Sequence, residues 1–127
     1  MMNSLNIRPP NSIVFICDPV FLSDLSRGTI PVLESGSALA ATESRISIAC
    51  ASEQDLPTEI TFGPARDVAP EGAPIFDAQL ETPSRTVNLA TVDQDAVVSS
   101  SVTEARTRVR IWVNHPKEPD KVVVCIG

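Results

Sequence analysis

The chain has 127 residues, 43% of them apolar, and ten Lys+Arg against sixteen Asp+Glu give a formal net charge of −6. That length suits one domain with a sizeable core, spanning 1–127, and is too short for two; the ordinary apolar share excludes wholesale disorder. The acidic balance disfavours direct binding of nucleic acid, whose phosphates are repelled at long range; it either suits a basic protein partner or merely keeps the domain soluble.

The opening MMNSLNIRPPNS lacks the charged, apolar and small-residue succession of a secretory signal. The apolar run from Ile13 to Cys17 is far too short to span a bilayer. A soluble cytoplasmic protein without membrane contact is therefore expected. Val, Ile, Thr and Ser abound, and eleven prolines punctuate the chain, which leans towards many short strands and turns. Cys17, Cys50 and Cys125 are widely spaced and each sits in an apolar run. They read as small buried hydrophobes in a reducing compartment, not as a disulfide or metal framework.

In NSIVFICD, Ile13, Phe15 and Cys17 share one face while Val14 and Ile16 make the other apolar too, which predicts a strand buried on both sides or covered by a loop. Pro19, Gly28, Pro31 and Gly36 break the next segment into irregular pieces, with a short strand near Ile30–Leu33. Ser37–Ala41 could begin a helix before the chain gives way to RISIACA. There Ile46, Ile48 and Cys50 alternate with Arg45, Ser47 and Ala49. TEITFG resumes with Ile60 and Phe62 inward, and the two runs are expected to form a hairpin. Gly63–Pro74 reads as a long Pro/Gly-rich loop. FDAQLE alternates again, Pro83-Ser84-Arg85 is turn chemistry, and TVNLATV places Val87, Leu89 and Thr91 on one face. A short strand is expected near Ala96–Val98. RTRVRIWVN and KVVVCI then close the chain as a hairpin. About seven or eight short strands and little helix predict an all-β, single-domain antiparallel β-sandwich.

Sites of chemistry are sparse. One histidine and three scattered cysteines do not offer a metal-ligand set. Asp93-Gln94-Asp95 lacks the further ligands and the glycine of a calcium loop and reads as a solvated turn. His115 precedes Pro116 in a surface turn with no nucleophile marked out beside it. Ser35-Gly36-Ser37 has neither a nucleophile-elbow pattern nor a phosphate-loop lysine. No enzymatic activity, metal or cofactor is expected.

What stands out is RTRVRIWVN. Thr107, Val109, Ile111 and Val113 point one way. Three of the eight arginines, Arg106, Arg108 and Arg110, point the other way with the only tryptophan, Trp112. Arg and Trp are enriched at interface hot spots, so this face is a candidate recognition surface. The competing reading is cross-strand pairing with Asp77 and Glu81, which carry opposite charge at the same period, with arginine stems covering the tryptophan.

Ala78, Leu80, Pro83 and Ser84, followed by Arg108, Val109, Arg110 and Ile111, resemble the hairpin and the arginine strand of the competence protein J-like nuclease inhibitors and of immunity-like small β-sandwich proteins. The resemblance covers roughly residues 43–127. Arg85 stands where that family usually has glycine after the Pro-Ser turn, and Glu104-Ala105-Arg106 replaces its usual Gly-x-Tyr. The resemblance implies a non-catalytic protein that occludes a nuclease or toxin. The candidate contacts are Arg106, Arg108, Arg110 and Trp112, with Asp67 and Glu71 on the long loop and Asp93 and Asp95 on another. The alternative is a structural module that homodimerises through an edge strand or through the Arg/Trp face.

Overall fold

The computed structural model describes residues 3–9, 12–23, 38–50, 57–64, 70, 72–94, 96–115 and 119–127. In chain order its strands are β1 (Asn3–Ile7), β2 (Ile13–Cys17), β3 (Leu39–Ala41), β4 (Arg45–Ala49), β5 (Thr58–Pro64), β6 (Phe76–Glu81), β7 (Thr86–Ala90), β8 (Val98–Ser101), β9 (Arg106–Val113) and β10 (Lys121–Ile126). A single helical turn among the described residues, α1 (Val20–Ser23), follows β2. The strands form two five-stranded sheets, the first in the order β1-β5-β10-β9-β6 and the second in the order β3-β4-β2-β7-β8. The fold is all-β and sandwich-like, as the alternation predicts.

The core lies between the inward positions of both sheets. Ile60, Phe62, Leu80, Val109, Ile111, Val122 and Val124 of the first sheet meet Val14, Ile16, Ile46, Ile48, Val87 and Leu89 of the second in one buried cluster. Full burial of such side chains contributes roughly 1.5–3 kcal/mol each before the entropy of ordering them is subtracted. This one cluster is what fixes the register of every strand, because a one-residue slip would turn each apolar set to the wrong face.

Pairing departs from the sequence expectation in several places. Leu39–Ala41 does not begin a helix; it pairs with β4 as an edge strand, Leu39 opposite Ile48, because tertiary pairing outweighs the local helix preference of a short Ala-rich run. Asn3–Ile7, not among the expected strands, is a strand against β5. β4 and β5 form no hairpin, since they belong to different sheets. Nor are β6 and β7 a hairpin: Pro83-Ser84-Arg85 carries the chain from the first sheet to the second. β9 and β10 do form the expected antiparallel hairpin, but β10 lies parallel to β5, so the sheets are not wholly antiparallel. The strand expected near Ala96–Val98 occupies Val98–Ser101. The strand expected at Ile30–Leu33 falls outside the described residues.

The crossing at Pro83-Ser84-Arg85 has its own fastenings. Thr82 is fully buried; its amide donates to the Ala105 carbonyl at 2.7 Å and its hydroxyl to the Glu104 carbonyl at 2.7 Å. The Thr82 and Thr107 hydroxyls lie 2.9 Å apart, so with Thr82 donating elsewhere, Thr107 is the donor of that bond. Buried Asp18, just past β2, accepts from the Ser84 amide at 2.7 Å and from the Val20 amide at 3.0 Å. Arg85 has φ of 58°, the left-handed conformation that glycine adopts most cheaply. Here the Arg85 amide closes the turn onto the Thr82 carbonyl at 3.0 Å, and its Nη1 donates to the Pro83 carbonyl at 3.0 Å.

Candidate functional site

β9 lies between β10 and the edge strand β6. Val109 and Ile111 are fully buried, so Arg106, Arg108, Arg110 and Trp112 occupy the outer face of the first sheet, as the alternation predicts. The register sets Asp77 opposite Arg110, Gln79 opposite Arg108 and Glu81 opposite Arg106.

The ion pair that forms is diagonal, not directly across. Arg108 Nε donates to Asp77 Oδ1 at 2.8 Å and Nη2 to Asp77 Oδ2 at 2.7 Å, a two-pronged arrangement that suits the planar guanidinium. Hydrogen bonding from Arg108 holds the Asp77 carboxyl below its ordinary value of 3.8, and the same pairing raises the arginine. Both partners are exposed, so the pair contributes little to stability. Arg106 reaches a different element, its Nη2 lying 4.0 Å from Glu43 Oε2. The expectation that the carboxylates of FDAQLE answer these arginines holds for Arg108.

Arg110 and Trp112 form the second half of the face. The Arg110 guanidinium carbon stands 5.9 Å from the centre of the Trp112 ring, within reach of a cation–π attraction. Arg110 Nε is buried without a hydrogen-bond partner. Trp112 is half-buried, and its Nε1 donates to the Gly72 carbonyl at 3.1 Å. Gly72 has φ of +90° with open space around its α-carbon, so the glycine is required for backbone conformation and not for close approach. The tryptophan is thereby held in one orientation by backbone forty positions earlier in the chain.

Beside Arg110 the register places Cys125, and beyond it Gly63, which has no side chain. Cys125 is buried although it is on the outer face. Burial pushes its thiol up, with the Arg110 charge opposing. Cys17 and Cys50 are buried as well, and neither is in a disulfide. The Cys50 thiol is pushed up to about 11, chiefly by burial, with the Thr58 hydroxyl opposing. All three match the reading of small buried hydrophobes.

A cleft of about 560 Å³ opens where β5, β8 and β10 end and β9 begins; Ser99, Ser100, Ser101, Arg106 and Arg108 line it. Among the acidic candidates, Asp93 follows β7 of the second sheet and is exposed, and its Oδ1 accepts from the Thr91 hydroxyl at 2.6 Å. It shares no face with the arginines. Asp67, Glu71 and Asp95 lie outside the described residues. Among the described residues no group of three or more His, Cys, Asp or Glu could hold a metal ion, and no helix is long and apolar enough to cross a membrane. Gly72 as the tether of Trp112 had no signal in the sequence, since nothing local marks a carbonyl that a distant indole will use.

No family model matches the chain, and no curated protein does. Among solved structures the chain is similar to ComJ, inhibitor of the DNA degrading activity of NucA, from Bacillus subtilis. The identity is 9%, over 99% of this chain and 93% of that one, with a TM-score of 0.48.

Proposed function

We propose that the chain is a one-domain, non-catalytic protein-binding module that neutralises a basic partner, a nuclease or a toxin, by covering its surface. The observation that carries this reading is the outer face of the first sheet. There a tethered tryptophan, an arginine stacked near it and a two-pronged Arg–Asp pair stand on a continuous strand. Aromatic and guanidinium groups that are already ordered lose little entropy on docking, which is what concentrates binding energy in a few residues. The carboxylate on Arg108 lowers the attraction of this face for phosphate, and the charge of −6 favours approach of a basic protein. The motif resemblance supplies the class of partner.

Wild-type protein and Trp112→Ala, immobilised side by side and exposed to extract of the source cell at moderate salt, test the reading. Wild type is expected to retain a basic protein whose DNA cleavage or toxicity falls on titration with the inhibitor. Trp112→Ala is expected to weaken retention by roughly tenfold or more. Recovery of no basic partner, or equal recovery by both proteins, contradicts it.

Self-association is favoured by a separate observation. β6 is an edge strand, its residues Asp77, Ala78 and Gln79 are exposed, and Ile75 just before it is 51% exposed. Such an edge offers unpaired backbone to a second copy. A dimeric mass in solution that Trp112→Ala leaves intact would assign association to this edge; one that Trp112→Ala abolishes would assign it to the Arg/Trp face.

A further inference from the structure

The alternation that sends Ile46 and Ile48 of β4 into the core sends Arg45 and Ser47 to the outer face of the second sheet. On β9 Arg106 and Arg108 are exposed and Arg110 is half-buried, whereas Arg45 is only 5% exposed and Ser47 1%. Arg45 Nε and Nη2 are both buried and have no hydrogen-bond partner. The register extends a polar row away from it: Arg45 is opposite Cys17 on β2, Cys17 opposite Asn88 on β7, and Asn88 opposite Ser99 on β8. Cys17 and Asn88 are buried, and the Ser99 hydroxyl donates to Asn88 Oδ1 at 2.6 Å.

A guanidinium cannot shed its proton at accessible pH, so burial cannot be relieved by neutralisation, as it can for lysine or histidine. A desolvated cation therefore needs a counter-charge. Asp18, which follows the strand partner of Arg45, already uses both carboxylate oxygens on the Val20 and Ser84 amides. Glu43 is exposed and directed to Arg106. No carboxylate among the described residues pairs with Arg45. The two atoms left over are the ones that form the side-on fork of an arginine, the geometry that takes two coplanar oxygens of a carboxylate or a phosphate.

We propose that the Nε/Nη2 edge of Arg45 is the recognition element of an oxyanion site on the outer face of the second sheet, taking paired oxygens of phosphate or carboxylate chemistry, with Ser47 and Asn88 on the same face. The site lies on the opposite sheet from the Arg/Trp face and does not depend on the proposed partner.

The side-chain Nε–H signals of the arginines in a ¹H–¹⁵N spectrum of the full chain read this edge directly. One signal, identified by its loss in Arg45→Lys, is expected to move saturably on addition of inorganic phosphate, against a chloride control at equal ionic strength. Arg45→Lys keeps the charge but lacks the fork, and is expected to bind phosphate about tenfold more weakly or worse, its melting temperature no longer rising with phosphate. A parallel titration with acetate separates the sources. A response to phosphate alone assigns the site to a phosphate group, and an equal response to acetate assigns it to a carboxylate. An Nε–H signal indifferent to both anions, or a melting temperature that rises equally in Arg45→Lys, overturns the proposal. If Arg45→Lys does not fold, the wild-type titration still decides, with assignment of the signal through the Arg45 backbone.

Discussion

β4 and β9 carry the same kind of sequence, arginine alternating with β-branched residues, and meet opposite fates. On β9 Arg106 and Arg108 open to water, Arg108 sharing its charge with Asp77, while half-buried Arg110 leans over Trp112. On β4 the arginine is sealed in, with two of its nitrogens unanswered. Period-2 alternation assigns a side chain to one of two faces, but a face has no fixed polarity until something covers it or leaves it open. The two sheets of this sandwich differ in that respect, and so the same residue type is a surface group in one and a buried cation in the other.

The largest perturbation would damage both regions at once. Phe62 is fully buried in the cluster that both sheets share, and Phe62→Ala is expected to lose about 3–5 kcal/mol of unfolding free energy. Measured by urea denaturation, a loss under about 1 kcal/mol would mean that the two sheets do not lean on a common core. The contrast itself is sharpened by replacing one arginine from each face. In chloride buffer free of phosphate and carboxylate, Arg45→Met is expected to raise stability by about 1–4 kcal/mol, because an uncompensated buried charge is exchanged for an apolar side chain. Arg108→Met is expected to leave the denaturation midpoint close to wild type. Equal responses of the two would dissolve the distinction between the faces.

Thr82→Val tests the fastening between the sheets. It strands the Thr107 hydroxyl and the Glu104 carbonyl and is expected to cost about 1–3 kcal/mol, read as a lower melting temperature. At the same crossing, Arg85→Gly relieves the left-handed backbone but gives up the bonds from Nη1, so a change within about 1 kcal/mol is expected, whereas Arg85→Val is expected to be clearly worse. The smallest effect belongs to the open face. Because Arg108 lowers the folded value of Asp77, the pair contributes fully above about pH 3.8, the ordinary carboxyl value, and its contribution is lost as pH falls through the lower folded value. Wild type and Asp77→Asn should therefore differ slightly at neutral pH, wild type being the more stable, and converge in strong acid. A difference that grows towards low pH would show that Asp77 is not held by Arg108.

Much of this arrangement was legible before any coordinates. The inward sets Ile46/Ile48, Ile60/Phe62, Val87/Leu89 and Val109/Ile111 could be written down from alternation, and each is buried. The complementary period of Asp77 and Arg108 announced a cross-strand pair, though its diagonal geometry depends on side-chain reach and not on register. The connectivity was less legible. A turn such as Pro83-Ser84-Arg85 serves equally to fold a strand back on its neighbour or to pass it to the facing sheet. The choice rests on Thr82 and Asp18 finding partners 25 and 66 positions away. The indole of Trp112 and the carbonyl of Gly72 are likewise forty positions apart.

The sequence alone thus determined the fold class, the faces of the strands and the pattern of opposite charges on β6 and β9, because these follow from local periodicity and from the cost of exposing apolar surface. Tertiary structure alone decided which strands pair, that β5 and β10 run parallel, how Trp112 is held, and that Arg45 is buried while Arg108 is not. Those outcomes depend on contacts between distant segments, where burial and partner geometry outweigh any preference a residue carries by itself.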